Sequence, residues 1–309
     1  MSEAILEAHG ICKKFGEAYA LSNINMTIKS GELYGLVGEN GAGKTTLMNI
    51  ISGLVYPTNG HISLFGVTGE ELLSKARKKI GVLIEMPALY PNMSAVENLM
   101  FYSRIYGIKN EKPTIAKVLN LVSLNETGKK NAGEFSLGMK QRLGLAVALL
   151  SNPKLLILDE PINGLDPSGI IDIRNILEDL VQEHGVTILI SSHILSELQV
   201  LTTKIGFVHK GKLVGEKSTA DLLKMADESI CIKTNSPSDT LRILQDYLQL
   251  DQIHLNEQGE IVLSKKSIEL KKLMEILLQS NIQVDGINLS KPSLEEYYMK
   301  LIDNTVKAE

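Results

Sequence analysis

A chain of 309 residues with 44% apolar and 22% charged residues has the make-up of a soluble globular protein, with room for one large α/β domain and a small one. Its formal net charge of −4 argues against a dedicated nucleic-acid binder, and two distant cysteines, Cys12 and Cys231, exclude a disulfide framework and fit two buried thiols in a reducing cytoplasm. No basic-then-apolar secretory signal opens the sequence, and the one long uncharged stretch, Thr45 to Gly69, is broken by Asn49, Ser52, His61 and the turn Pro57-Thr58-Asn59-Gly60, so a membrane crossing is expected only from a partner.

In chain order, Ile5 to Lys13 and Ile24 to Ile28 read as short strands, and Leu33 to Val37 as an apolar strand running into a glycine-rich loop. Thr45 to Ser52 reads as helix, then Ile62 to Phe65 and Ile80 to Ile84 as strands. Ser94, with Glu97 three residues on, is a capping box that opens a helical region reaching about Val122. Leu137 to Leu150 is a second helix, stopped by Asn152-Pro153. Leu155 to Leu158 and Thr187 to Ile190 are uninterrupted apolar runs, the pattern of parallel strands buried on both faces. Ile170 to Glu183 and Leu195 to Leu201 read as helices, and Ile205 to His209 with Lys212 to Glu216 as a hairpin around Lys210-Gly211. The alternation predicts a doubly wound α/β core, with ligands beyond the carboxyl ends of the strands.

After about Asp221 the order becomes strand (Ser229–Thr234), helix (Pro237–Leu248), strands (Ile253–Leu255, Glu260–Leu263), helix (Ser267–Gln279) and strand (Ile282–Leu289). That is a βαββαβ order, the split-βαβ arrangement. A last amphipathic helix is expected over Ser293 to Ile302. The predicted boundaries are thus 1–220, with a helical subdomain over about 86–152, and 221–309 for a small α+β module.

Gly38-Glu39-Asn40-Gly41-Ala42-Gly43-Lys44-Thr45 fits G-x-x-x-x-G-K-[ST] in full and lies between a strand and a helix. The glycines allow backbone N–H groups to turn around phosphate oxygens, and the helix N-terminus adds partial positive charge. Gly38, Asn40, Gly41, Gly43, Lys44, Thr45 and Thr46 are the candidate phosphate-binding residues; Lys44 can reach the β- and γ-phosphates of ATP, and Thr45 can ligate Mg2+. Asp159 and Glu160 end the buried run Leu155 to Leu158, and an acid pair at such a tip is costly unless used. Asp159 is placed to hold Mg2+ and Glu160 to polarise the attacking water.

Between these motifs, Phe135-Ser136-Leu137-Gly138-Met139-Lys140-Gln141-Arg142 resembles the signature of the ABC ATPases, usually L-S-G-G-Q. Asn163-Gly164-Leu165-Asp166-Pro167 resembles their D-loop and Ser191-Ser192-His193 their switch histidine. The motifs occur in that family's order over roughly Ile5 to Thr219. The resemblance implies a P-loop NTPase fold with a parallel or mixed sheet core and a helical subdomain. It implies a head-to-tail homodimer around two ATP molecules, with Ser136 and Gly138 contacting the γ-phosphate held by the opposite subunit. His193 would contact the γ-phosphate of its own subunit, and Asp166 would lie at the dimer interface. Phe15, before Gly16, matches the aromatic that stacks on adenine, with Tyr19 as the rival. His9, His61, His184, His209 and His254 match no motif.

The sequence departs from the family pattern at Leu137 and Met139, and at Glu85, where glutamine is usual. A glutamate there can still ligate Mg2+ or orient water, and it adds negative charge near Asp159 and Glu160. Glu85, the signature segment, the chain length and Ser293-Leu294-Glu295-Glu296-Tyr297-Tyr298 resemble the bacitracin and lantibiotic resistance exporters. The implied setting is the cytoplasmic face of the membrane, on a separate transmembrane permease of ABC-2 type, with no nucleic acid. An exporter ATPase for an unrelated substrate, or a soluble regulatory ABC ATPase, is the alternative. Tyr90, Phe101, Tyr102 and Tyr106 would either line the groove that receives the permease or belong to the core.

Overall fold

The computed structural model describes residues 3–85, 88–225, 229–248, 253–256, 258–264, 268–280, 282–290, 298 and 301–302. The chain divides into two compact units, Met1–Thr219 with Leu301–Glu309, and Ala220–Lys300.

The first unit opens with a long antiparallel pair, β1 (Ala4–Phe15) and β2 (Ala18–Lys29), to which β4 (Asn59–Leu64) adds on the other side of β1. The two strands run past their expected ends because register shifts along the pair let them bend without breaking. A second sheet has the order β5 (Ile80–Leu83), β6 (Leu155–Asp159), β7 (Thr187–Ser192), β3 (Leu33–Val37), β8 (Lys204–His209) and β9 (Lys212–Ser218). Its first five strands are parallel, and β9 closes it antiparallel through the expected hairpin.

Helix α1 (Lys44–Ser52) lies between the two sheets. Leu47, Met48, Ile50 and Ile51 are buried against Leu6, Ile11 and Ile24 from one sheet and Leu36, Ile157 and Leu189 from the other. This two-sided burial accounts for the apolar residues of the uncharged run that fall in α1, while Thr45, Thr46, Asn49 and Ser52 of the same helix stay partly exposed. Among the described residues no helix is long and apolar enough to cross a membrane. Each fully buried aliphatic side chain contributes about 1.5–3 kcal/mol relative to exposure.

Helix α2 (Glu70–Arg77) has no counterpart in the sequence pattern, since only Leu73 and Ala76 of it are buried. Arg77 fixes it instead, pairing with Glu70 at 2.5 Å and donating to Ile51 O at 3.3 Å. Helices α3 (Ala95–Ile105), α4 (Glu111–Leu121) and α5 (Leu137–Leu149) form the helical region, and α6 (Pro167–Gln182) and α7 (Leu195–Leu201) follow. The capping box is formed: Ser94 N–H donates to Glu97 Oε2 at 2.8 Å and Ser94 Oγ accepts from Glu97 N–H at 3.3 Å. Asn98, fully buried, ties the preceding loop to α3 through Tyr90 N–H and the carbonyls of Tyr90, Met93 and Ser94.

The second unit begins within α8 (Thr219–Met225), a helix the sequence pattern did not reveal. It contains β10 (Ser229–Thr234), α9 (Pro237–Leu248), β11 (His254–Leu255), β12 (Ile261–Ser264), α10 (Leu270–Gln279) and β13 (Val284–Ser290). The all-antiparallel order β11-β12-β10-β13 is that of a split βαβ fold, with Ile230, Ile232, Leu244, Ile261, Leu273 and Leu277 in its core. The helix expected over Ser293 to Ile302 lies outside the described residues except for Tyr298, Leu301 and Ile302, which are helical.

Candidate functional site

The loop from β3 to α1 is built where only glycine fits at its two ends. A methyl on Gly38 would lie 2.3 Å from Val208 O, and one on Gly43, whose φ is +109°, would lie 2.7 Å from Ala20 O. Gly43 caps α1 without a side-chain bond, so the first-turn N–H groups of α1 are left for a ligand. Lys44 is buried and curls back over the loop, with Nζ donating to Gly38 O at 2.7 Å and Glu39 O at 3.2 Å. A cavity of about 290 Å³ is lined by Ala20, Asn40, Gly41, Gly43, Lys44, Thr45, Thr46, Glu160 and Asn163. Six of the seven candidate phosphate-loop residues therefore line one cavity; the seventh, Gly38, accepts from Lys44 behind it.

The acid pair at the tip of β6 meets this loop. Thr45 Oγ1 donates to Asp159 Oδ2 at 2.6 Å. Glu160 has a left-handed backbone (φ +50°), an uncommon state for a residue with a β-carbon, and this turns its side chain across the loop. Its Oε1 is 3.4 Å from Lys44 Nζ and its Oε2 2.5 Å from His193 Nδ1. The buried lysine, the carboxylate and the histidine thus form one linked group at the cavity wall.

Ser191 is the member of the site to which the sequence assigned no role. It is fully buried at the end of β7, in register beside Asp159. Its hydroxyl donates to Asp159 Oδ1 and accepts from Glu160 N–H at 3.0 Å, so one side chain orients both acids. A hydroxyl two residues before His193 was the available signal, but its use depends on β7 lying next to β6.

The remaining candidates are not gathered at this cavity. Ser136 caps α5 by accepting from Met139 N–H at 3.3 Å, and Asp166 caps α6 by accepting from Gly169 N–H at 3.1 Å. Hydrogen bonds from Ser168 and then Gly169 hold the Asp166 carboxyl below the usual carboxylate range. The two capped loops touch each other: a methyl on Gly138 would lie 3.8 Å from Leu165 Cδ2, and one on Gly164 3.4 Å from Leu137 Cδ2. Leu137, one of the departures from the usual signature, thereby packs on its own chain's Asn163–Pro167 loop. Phe15 and Tyr19 are both exposed, with Lys13 Nζ 4.9 Å from the Phe15 ring centre and Lys14 Nζ 5.5 Å from that of Tyr19.

Glu85 is exposed, with φ +61°, and has no hydrogen-bond or ion-pair partner among the described residues. Leu83 of β5 is paired with Leu158 of β6, so Glu85 and Glu160 each stand two residues beyond that pair. Tyr90, Phe101, Tyr102 and Tyr106 form a half-exposed aromatic cluster on α3 and the loop before it, with Tyr90 and Phe101 edge to face at 4.6 Å. A larger cavity of about 970 Å³ lies at the opposite, amino ends of β6 and β7, lined by Lys109, Lys117, Lys154 and His184 among others; none of the motif residues reaches it.

Residues 21–163 match the ABC transporter family. The chain is 38% identical over 298 residues to a bacitracin transport ATP-binding protein of Bacillus licheniformis, covering 96% of this chain and 97% of that protein. It is 46% identical over 213 residues to a lantibiotic transport ATP-binding protein of Streptococcus pyogenes, covering 69% of this chain and 90% of that protein. Among solved structures it is similar to a dimeric ATP-binding cassette in a post-hydrolysis state bound to ADP and Pi, with a TM-score of 0.62 and 27% identity over 69% of this chain and 98% of that one.

Proposed function

The chain belongs to the ABC transporter family as an ATP-binding, ATP-hydrolysing subunit, and we propose that it powers export of a bacitracin- or lantibiotic-like peptide antibiotic through a separate permease. The observation that carries this reading is the similarity to the bacitracin transport protein, which extends through the C-terminal unit as well as the nucleotide site.

In this reading the exposed first turn of α1 and the loop N–H groups hold the β- and γ-phosphates, and Lys44 leaves its carbonyl partners for phosphate oxygens. The hydroxyl of Thr45 and the carboxylate of Asp159 are hard oxygen donors 2.6 Å apart, a pair that fits Mg2+, with Glu85 as a further oxygen donor. Bound there, Mg2+ would neutralise charge on the phosphates. Glu160 orients the attacking water and accepts its proton, and His193 donates to the γ-phosphate. Phe15 or Tyr19 stacks on adenine.

Ser136, Gly138 and Asp166 are not among the residues lining the chain's own cavity, which supports a role for them in a homodimer, facing the nucleotide of the second subunit. The half-exposed aromatic cluster on α3 is the docking surface for the permease, consistent with the enrichment of aromatics at interface hot spots. The working position is the cytoplasmic face of the membrane.

The test is ATP hydrolysis by the purified chain and by Glu160→Gln, with oligomeric state measured with and without ATP, followed by peptide-antibiotic sensitivity of a strain lacking the protein. The parent should hydrolyse ATP slowly with Mg2+, and the variant should stop turning over and accumulate as an ATP-bound dimer. Turnover by the variant at the parent rate would remove Glu160 from its role. Unchanged sensitivity to bacitracin and to lantibiotics would leave an ATPase of another exporter.

A further inference from the structure

We infer that Glu197 is a positioning residue that takes over His193 when Glu160 turns to the attacking water; this rests on the reading of His193 as the γ-phosphate contact. In the present structure both oxygens of Glu160 are engaged, Oε1 by Lys44 at 3.4 Å and Oε2 by His193 Nδ1 at 2.5 Å. A carboxylate that orients water has to release both. Lys44 then has phosphate oxygens to turn to. The imidazole loses the acceptor that fixes its ring orientation and decides which nitrogen carries the proton.

Glu197 is built to supply the replacement. It stands in the first turn of α7, four residues after His193, and the backbone at His193 is held by Ile194 N–H donating to Ser192 Oγ at 2.9 Å. Its Oε2 is shut off from solvent and has no hydrogen-bond partner among the described residues. A shielded carboxylate oxygen without a donor is a cost that the fold would not keep for packing alone. Burial pushes the Glu197 carboxyl up, and of the charges that oppose this the field of His193 is the largest, ahead of Arg174 on α6; Glu160 acts in the other direction. Transfer of His193 from Glu160 to Glu197 satisfies the shielded oxygen, separates Glu160 from its competitor for the ring, and leaves the other ring nitrogen directed to the nucleotide. Arg174, with its own field on Glu197, is the rival partner.

The experiment is steady-state ATPase kinetics and ATP binding on the full chain for His193→Ala, Glu197→Ala, Glu197→Asp, Arg174→Met and the double variant His193→Ala/Glu197→Ala. Loss of a partner that only orients a site residue typically costs roughly 10- to 100-fold in activity. Glu197→Ala should lose kcat on that scale while binding ATP as the parent does. Glu197→Asp should recover part of it, and Arg174→Met should keep the parent rate. In the His193→Ala background the Glu197 substitution should have no further effect, since its only route to the reaction is gone. A parent rate in His193→Ala would sink the reading of His193 itself. A loss in His193→Ala with a parent rate in Glu197→Ala, a fully additive double variant, or an equal loss in Arg174→Met would overturn the inference alone and make Glu197 a structural partner of α6.

Discussion

Replacing Ser191 by alanine should damage stability and turnover together. The hydroxyl is fully buried and makes two bonds, donating to Asp159 Oδ1 and accepting from Glu160 N–H at 3.0 Å. A hydrogen bond to a charged carboxylate contributes about 1.5–3 kcal/mol, and a buried N–H left without an acceptor costs about 1–3 kcal/mol. Asp159 keeps Thr45 on its other oxygen, which limits the loss, so a destabilisation of about 3 kcal/mol is expected. For a unit of this size that is a fall of roughly 6–12 °C in thermal midpoint. The Glu160 N–H bond also helps hold a left-handed backbone at φ +50°, so kcat should fall at least about tenfold, on the scale of losing an orienting partner. Urea denaturation and ATPase assays on the purified variant, with Ser191→Cys as a control of similar volume and weak bonding, measure both. A stability change under about 1 kcal/mol together with an unchanged kcat would refute the assignment of Ser191 as the common support of the two acids.

Lys44→Ala should abolish measurable nucleotide binding by removing a cation buried against the loop, read by titration with a fluorescent ATP analogue. Gly206→Ala places a methyl 2.2 Å from Tyr34 Oη, whose bond to Glu216 is 2.6 Å long; a loss of about 2–4 kcal/mol is expected in urea, and a neutral result would mean that β3 and β8 can separate without cost. Asp166 has a folded pKa below its ordinary value of 3.8, so its cap contributes fully above that pH and is lost as pH falls through the lower folded value. The thermal midpoint of Asp166→Ala should therefore trail the parent by a constant margin at neutral pH and converge with it in strong acid; a gap that widens in acid would contradict the cap. Glu85→Gln should raise the Mg2+ concentration needed for half-maximal ATPase activity, and identical Mg2+ titrations would exclude Glu85 from the metal site.

Local chemistry made much of this protein readable. The glycine-rich loop was legible because its glycines, Lys44 and Thr45 fall within eight consecutive residues, at the spacing that a backbone wrapping around a phosphate requires. The buried strands were legible because Leu155 to Leu158 has no polar face. The capping box at Ser94 and Glu97 was legible because both of its bonds span three residues. Helix α2 escaped because its hold on the fold is a pair of arginine contacts, not an apolar stripe. The long uncharged run was already excluded as a membrane crossing by its polar residues and its central turn, and the structure adds what its helical part packs against, a sheet on each side of α1. The sequence favoured Phe15 over its rival Tyr19 by its place before Gly16, and the structure leaves both exposed, each beneath a lysine.

The sequence by itself determined which chemistry-bearing runs are present: a glycine-rich loop with a lysine and a threonine, an acid pair at a strand tip, a histidine after another strand, and the order in which they come. It did so because each motif is a short run whose function is set by the backbone of that run. Only the tertiary structure decided which side chains meet. Strands β3, β6 and β7 come in that order along the chain, but in the sheet β7 lies between the other two. That placement sets Ser191 beside Asp159, brings His193 onto Glu160, and closes Lys44 against the same carboxylate. Strand order depends on how crossover helices pack two faces of a sheet at once, a balance summed over the whole core that no local run of residues records.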